Sequence, residues 1–343
     1  IWSSLVGSEM CIRDSIQGVA MNQAIRIHEN GGPEVLRLED TTVDPPGSGE
    51  VLIRHTAVGL NFIDIYQRSG LYPLELPKVL GMEGAGVIEE TGDGVEGLVP
   101  GQRVAYAMNL GAYSQRRTIQ ADKLVALPDG IEDQTAAAMM LKGMTVMYLL
   151  RRTHVVQKGE TILVNAAAGG VGLILCQWAS HLGAEVIGCV GSEEKAELAK
   201  KFGCDHTILY RNEDIVSRVK EITDGKGVPV VYDSVGKDTF NSSIDSLAPF
   251  GKLVSFGNAS GPVEPFNPLM LGNKGSLFFT RQTLATHIAT RELFEDAANQ
   301  LFEVVQSGGV QIVINRTFPL AETSQAHQEL ESRKTTGSTV ILP

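Results

Sequence analysis

From Met21 to about Ala126 the apolar residues fall in short alternating runs, "QAIRIHENGGPEV", "VLIRHTAVGL", "AGVIEETGDGVEGLVPGQRVAYA" and "KLVALP", each cut by Gly or Pro. Period-two alternation between turn residues predicts a β-rich domain of sheet and loop. The period lengthens at "LPDGIEDQTAAAMMLKGMTVMYLLRR", where Ala, Met and Leu recur at helical spacing, and a domain boundary is placed near Gly143.

Beyond it, strand and helix patterns alternate. Candidate strands are "TILVN" (161–165), "EVIGCV" (185–190), "HTILY" (206–210), "VPVVYDS" (228–234), "KLVSFG" (252–257) and "SLFFT" (276–280). They are apolar on both faces, as strands of a parallel sheet covered by helices must be. In the helical stretch "SEEKAELAKKFG", Ser192 suits the N-cap, Glu193 and Glu194 the positive end, and Gly203 the C′ position. Six such units predict an α/β fold, a doubly wound Rossmann sheet over 144–284. The tail returns to a helix ("RELFEDAANQLFEVVQSGG"), a strand ("VQIVINRTF"), a helix ("AETSQAHQELESRKTTG") and a strand ("STVILP"). Too short for a core of its own, residues 285–343 are expected to complete the first domain, which is then discontinuous with 21–143 as its other part.

At the first strand-to-helix junction stands "NAAAGGVG". Small residues there suit either a tight turn or a backbone cradle for a dinucleotide pyrophosphate, with the N–H groups of the following helix, from about Val171 to His181, aimed at the anion. The glycines do not follow G-x-G-x-x-G, so the stretch alone does not separate the two. The surrounding βαβ context and the alternating units favour the cradle.

Charge narrows the partners. The 343 residues carry 29 Lys and Arg against 40 Asp and Glu, a net charge of −11, with 43% hydrophobic residues. That balance repels nucleic acid and anionic membranes, and no apolar run reaches the length of a span. Four cysteines, Cys11, Cys176, Cys189 and Cys204, lack C-x-x-C spacing and read as reduced core thiols of a cytoplasmic protein. Residues 1–20, "IWSSLVGSEMCIRDSIQGVA", resemble a translated adapter, not a secretory signal. They are expected to be a disordered, non-native leader before Met21.

The end of the second strand selects between cofactors. An NAD site places an acidic side chain there for the ribose 2′-OH, whereas "CVGSEEK" offers Gly191 and Ser192, with Lys195 one turn on to reach a 2′-phosphate. NADPH is the expected cofactor, the alternative for Lys195 being an exposed helix cation.

Taken with "NFIDIYQRSGLYP", "GMEGAGVI", "GAYSQRRTI", "LKGMTVMYLL", "VVYDSVG", "VSFGNASG" and "KGSLFFTR", the glycine stretch resembles the NADPH-dependent quinone oxidoreductases, the zinc-free, ζ-crystallin-like branch of the medium-chain dehydrogenase/reductase superfamily. The similarity runs from Met21 to Pro343. It implies a GroES-like catalytic domain and a central Rossmann domain with the cofactor in the cleft between them. By motif position it implies that Asn61, Ile65 and Tyr66 border the nicotinamide, and that Tyr148 approaches from the start of the central domain. Gly170 and Val171 then meet the pyrophosphate. Gly191, Ser192, Lys195, Tyr210 and Arg333 surround the 2′-phosphate; Ser234, Phe256, Gly257, Gln282 and Leu284 line the remaining contacts. Each has a plainer alternative: Asn61 as a turn residue, the tyrosines as packed aromatics, Arg333 as a solvated helix charge.

No metal is expected. Where zinc alcohol dehydrogenases of this fold carry a "GHE" histidine this chain has Met82, and "NFID" replaces a ligand cysteine. Without a Lewis acid for alcohols, reduction of an electron-poor acceptor, a quinone, by hydride or by single electrons is the expected reaction, with Tyr66 and Asn61 the candidate catalytic side chains. Reduction of activated C=C bonds in enones or enals is the alternative within enzymes. A non-catalytic structural or RNA-binding role, as a crystallin, is the alternative outside them. The apolar segment Ser276–Thr280 is expected to be a sheet edge through which a homodimer forms.

Overall fold

The computed structural model describes residues 20–343. The expected leader lies outside the described residues except for Ala20, which opens the first strand. A small antiparallel sheet comes first: β1 (Ala20–Ile27) pairs with β2 (Arg37–Val43), and later with the two-residue β4 (Lys78–Val79). Between them run β3 (Glu50–Gly59) and α1 (Phe62–Arg68). β5 (Glu83–Thr91), β6 (Arg103–Ala107), β7 (Arg116–Gln120) and β8 (Val125–Ala126) complete the N-terminal strands, β3 pairing with both β5 and β7. Alternation of buried and less buried positions along these strands closes a core of Ile25, Ile53, Val58, Leu80, Val104, Tyr106 and Tyr113.

The 16-residue α2 (Asp133–Tyr148) crosses from this half to the next without interruption. The boundary placed near Gly143 therefore falls inside a helix. Gly143 has a packing reason: a Cβ there would stand 2.4 Å from Leu301 Cδ1, so the missing side chain lets the later helix α9 lie close.

The central region is a six-stranded parallel sheet in the order β11-β10-β9-β12-β13-β14. In chain order these are β9 (Thr161–Asn165), α3 (Gly170–His181), β10 (Glu185–Val190), α4 (Glu193–Lys201), β11 (His206–Leu209), α5 (Ile215–Ile222), β12 (Val228–Asp233), α6 (Phe240–Asp245), β13 (Leu247–Ser255), α7 (Leu269–Asn273) and β14 (Phe278–Arg281). The chain order reverses between β9 and β12, a switch point where open sheets of this kind hold ligands. The last strand starts two residues later than expected because Ser276 sits at φ 56°, turning the chain before it pairs with β13. As expected, Ser192 caps α4 by accepting from Lys195 N, and Gly203 lies past its end at φ 96°.

After α8 (Leu284–His287) and α9 (Arg291–Gln306), β15 (Ile314–Pro319), α10 (Thr323–Glu331) and β16 (Ser338–Leu342) return to the first half. β16 pairs antiparallel with β3, Val340 opposite Gly59, so the chain's end is sewn into a seven-stranded sheet with β3, β5, β6 and β8. β15 starts only at Ile314 because Gln311 N–H donates to the Gln177 side chain instead of to a strand. Ala297, Ala298 and Leu301 of α9 pack with Met140 and Met144 of α2 and Leu175 of α3 in one core shared by both halves.

Candidate active site in the interdomain cleft

The glycine stretch forms the expected turn. Ala166 takes φ 55°, and its carbonyl would lie 2.3 Å from a Cβ on Gly172. Gly169 is the N-cap of α3 and supplies no side-chain cap, leaving the N–H groups of Gly170 and Val171 free for an anion. The chain's far end closes over this turn: Gly337 bridges Gly169, and its N–H donates to Ala168 O at 3.1 Å.

At the end of β10 the residues expected around a 2′-phosphate lie close together. Gly191 leaves room for Tyr210, whose hydroxyl would stand 2.6 Å from a Cβ there. Lys195 Nζ donates to Arg333 O at 2.7 Å, and partial burial and the nearby Arg211 lower its pKa. Arg333 is not a helix residue; it lies beyond α10 at φ 56°, with its guanidinium 3.4 Å from Asp238. Ser192, Lys195, Tyr210 and Arg333 thus meet in space from two distant parts of the chain, and Arg211, which the sequence reading missed, joins them.

The cleft wall carries tyrosines. Tyr66, on α1 beside Ile65, is 8% exposed and its hydroxyl accepts Asn258 N–H at 2.9 Å. Burial pushes its pKa up to about 12, so it keeps its proton and has that hydrogen left to donate. Tyr72 packs edge-on against it and receives Arg281 Nη2 at 3.2 Å. Tyr72, Asn258 and Arg281 were not found in the sequence. Ser234 and Gly257 are pressed together, with Phe256 N–H bonded to Asp233 O. Tyr148, fully buried, stacks on His287 with centroids 4.2 Å apart, and His287 Nε2 bonds the Gln282 side chain one turn from Leu284.

The floor is ionic and dry. Glu83 at the start of β5 is 0% exposed; its Oε1 accepts from Asn61 Nδ2 at 2.7 Å and Lys142 Nζ at 2.9 Å, and its Oε2 from Leu141 N at 2.6 Å. Gly59 must be glycine here, since a Cβ would fall 2.2 Å from Glu83 Oε1. Beside it Asp64 accepts Asn61 N–H at 2.9 Å and the Tyr113 hydroxyl at 2.7 Å, yet burial still raises its pKa to about 7. Tyr113 in turn receives His327 Nε2–H at 3.1 Å, and His327 Nδ1 accepts from Arg68, which pairs with Glu331. No local motif announces these contacts; Glu83 and Lys142 are 59 positions apart.

Two family profiles match, "Alcohol dehydrogenase GroES-like domain" over 47–129 and "Zinc-binding dehydrogenase" over 170–307. The Pseudomonas aeruginosa quinone oxidoreductase is 54% identical over 325 residues, covering 94% of this chain and all of that one. The chain belongs to the quinone oxidoreductase family. A solved Escherichia coli quinone oxidoreductase complexed with NADPH superposes with a TM-score of 0.92 at 48% identity, covering 94% of this chain and 100% of that one. A 2-haloacrylate reductase of a Burkholderia species is 46% identical, over 94% of this chain and 99% of that one. Despite the wording of one profile, among the described residues no group of three His, Cys, Asp or Glu is placed to hold a metal ion. Met82 is instead approached by Gln67 Nε2, 3.4 Å from its Sδ.

The donor set suits a phosphorylated dinucleotide. An uncapped helix start over a turn with no room for side chains fits a pyrophosphate, and Lys195, Arg211, Arg333 and Tyr210 fit a dianion.

Proposed function

We propose that this chain is an NADPH:quinone oxidoreductase that works without zinc. The observation that carries the cofactor choice is the cluster of Lys195, Tyr210 and Arg333 at the end of β10, where an acidic side chain would have selected NADH. Ser192 and Gly191 line that phosphate, Gly170 and Val171 the pyrophosphate, and Asn61, Ile65, Tyr66, Tyr148, Ser234, Phe256, Gly257, Gln282 and Leu284 the rest of the cofactor.

When bound, NADPH supplies a hydride at C4 of its nicotinamide. The Tyr66 hydroxyl, its oxygen held by Asn258, presents a hydrogen to the acceptor's oxygen and thereby supports the charge arriving there. Arg281 and Tyr72 add donors on the same wall. Reduction of a quinone consumes the hydride and a proton, which water delivers through the cleft.

A second reading, reduction of an activated C=C bond, is favoured by the 46% identical 2-haloacrylate reductase. Stopped-flow oxidation of NADPH and NADH against quinones, enones and alcohols tests both. Quinone turnover with NADPH is expected; turnover of an enone but of no quinone replaces the first reading by the second.

No described helix is long and apolar enough to cross a membrane. We place the protein in the cytoplasm, in keeping with the buried free thiols of Cys176, Cys189 and Cys204. We further propose a homodimer through β14, the end strand of the central sheet, where Phe278 is 57% exposed, with Phe250 of the neighbouring β13 73% exposed. Light scattering at micromolar concentration checks it, a monomer counting against the pairing.

A further inference from the structure

Lys142 lies in the middle of α2, 6% exposed, and spends one of its three donors on Glu83. Among the described residues it has no second hydrogen-bond partner. Its stem runs along the start of α3: a Cβ on Gly170 would stand 3.0 Å from both Cδ and Cε of the lysine. The ammonium at the end of that stem is tied, through the shared Glu83 Oε1, to Asn61. It therefore stands between the phosphate turn and the residue that caps α1.

A buried ammonium with unspent donors is costly, and a buried ion pair is often no more stable than an apolar pair of the same size. Stability alone gives the pair no reason to persist at this place. An oxygen acceptor arriving from the cleft would satisfy the remaining donors, and the neutralising carboxylate makes the contact directional.

We propose that Lys142 is a cofactor-binding residue, donating to an oxygen on the nicotinamide side of the dinucleotide, with Glu83 holding the ammonium at that height. The assignment rests on the dinucleotide reading above and not on which acceptor is reduced.

Fluorescence titrations of Lys142→Met and of Lys142→Met/Glu83→Gln with NADPH, NADH and 2′,5′-ADP test it. The last ligand carries the 2′-phosphate end and lacks the nicotinamide half. Both variants are expected to bind NADPH and NADH about tenfold more weakly and 2′,5′-ADP within about twofold of the wild type. Equal losses with all three ligands would reduce Lys142 to a structural tie and overturn the proposal, as would unchanged NADPH binding. If the single variant does not fold, the double variant, which leaves no lone buried carboxylate, decides by the same criterion. Failure of the wild type to bind 2′,5′-ADP would instead overturn the NADPH reading.

Discussion

The two ends of the cleft are built on opposite principles. At the phosphate end, Lys195, Tyr210 and Arg333 are half-buried or exposed, and Ser192 and Gly191 stand within a few residues of Lys195 in a turn whose geometry is local. At the floor, Glu83, Lys142, Asn61, Asp64, Tyr113 and His327 are all buried and are drawn from five segments of the chain. Solvated cations can meet a ligand phosphate at little cost to the fold, whereas buried charges must satisfy one another first. Substitutions at the phosphate end should thus register in binding alone, and those at the floor in stability, with a loss of binding besides at Lys142.

The largest effect is expected at the floor. Glu83→Leu leaves the Lys142 ammonium buried without its carboxylate and should cost about 3–5 kcal/mol of folding stability, measured by urea unfolding. A loss below about 1 kcal/mol would mean that water reaches the pair and that the contrast is overdrawn.

At the phosphate end, Lys195→Glu should weaken NADPH by roughly 2 kcal/mol while leaving both NADH affinity and the unfolding midpoint nearly unchanged. Titration with the two cofactors reads this directly; an equal loss for NADH would remove Lys195 from the 2′-phosphate.

Acid should separate the regions further. His55 and His327 stay neutral in the fold down to about 3, against 6.5 when unfolded, because burial disfavours the cation. Below 6.5 the unfolded chain binds these protons and the folded one does not, so stability falls with pH. Asp64 acts the other way: its pKa is raised from 3.8 to about 7, so the folded state holds the extra proton and is favoured as pH falls through that window. Two histidines against one carboxyl leave a net loss on the order of 1.4 kcal/mol per pH unit between about pH 6 and 4. Unfolding free energies across that range should show the slope, and His327→Gln should nearly abolish it.

The smallest effect is expected from Gly191→Ala. The new methyl meets the outer end of Tyr210, which is 49% exposed and can swing away. NADPH affinity should fall by less than about 1 kcal/mol and stability should not move; calorimetric titration and a thermal melt check both.

Periodicity alone located five strands of the central sheet to within two residues, because parallel strands buried on both faces must be continuously apolar; β13 begins at Leu247, five residues before the expected Lys252, where exposed Pro249 and Phe250 interrupt the apolar run. It misplaced starts where a single torsion or a distant partner decided, as at Ser276 and Gln311. It set a boundary near Gly143 because the alternation gives way there to helical spacing, while what that glycine packs against, Leu301, lies 158 positions away in the chain. For the candidate site the contrast is the same. "GGVG" and "GSEEK" declare themselves as turns and helix starts because these are made of neighbouring residues, whose types follow from the torsions involved. The Lys142–Glu83–Asn61 floor and the Arg68–His327–Tyr113–Asp64 chain have no such spacing. Which buried donor meets which acceptor was settled only when β16 paired with β3 and α2 crossed between the two sheets, since burial makes each polar group's partner depend on the whole fold.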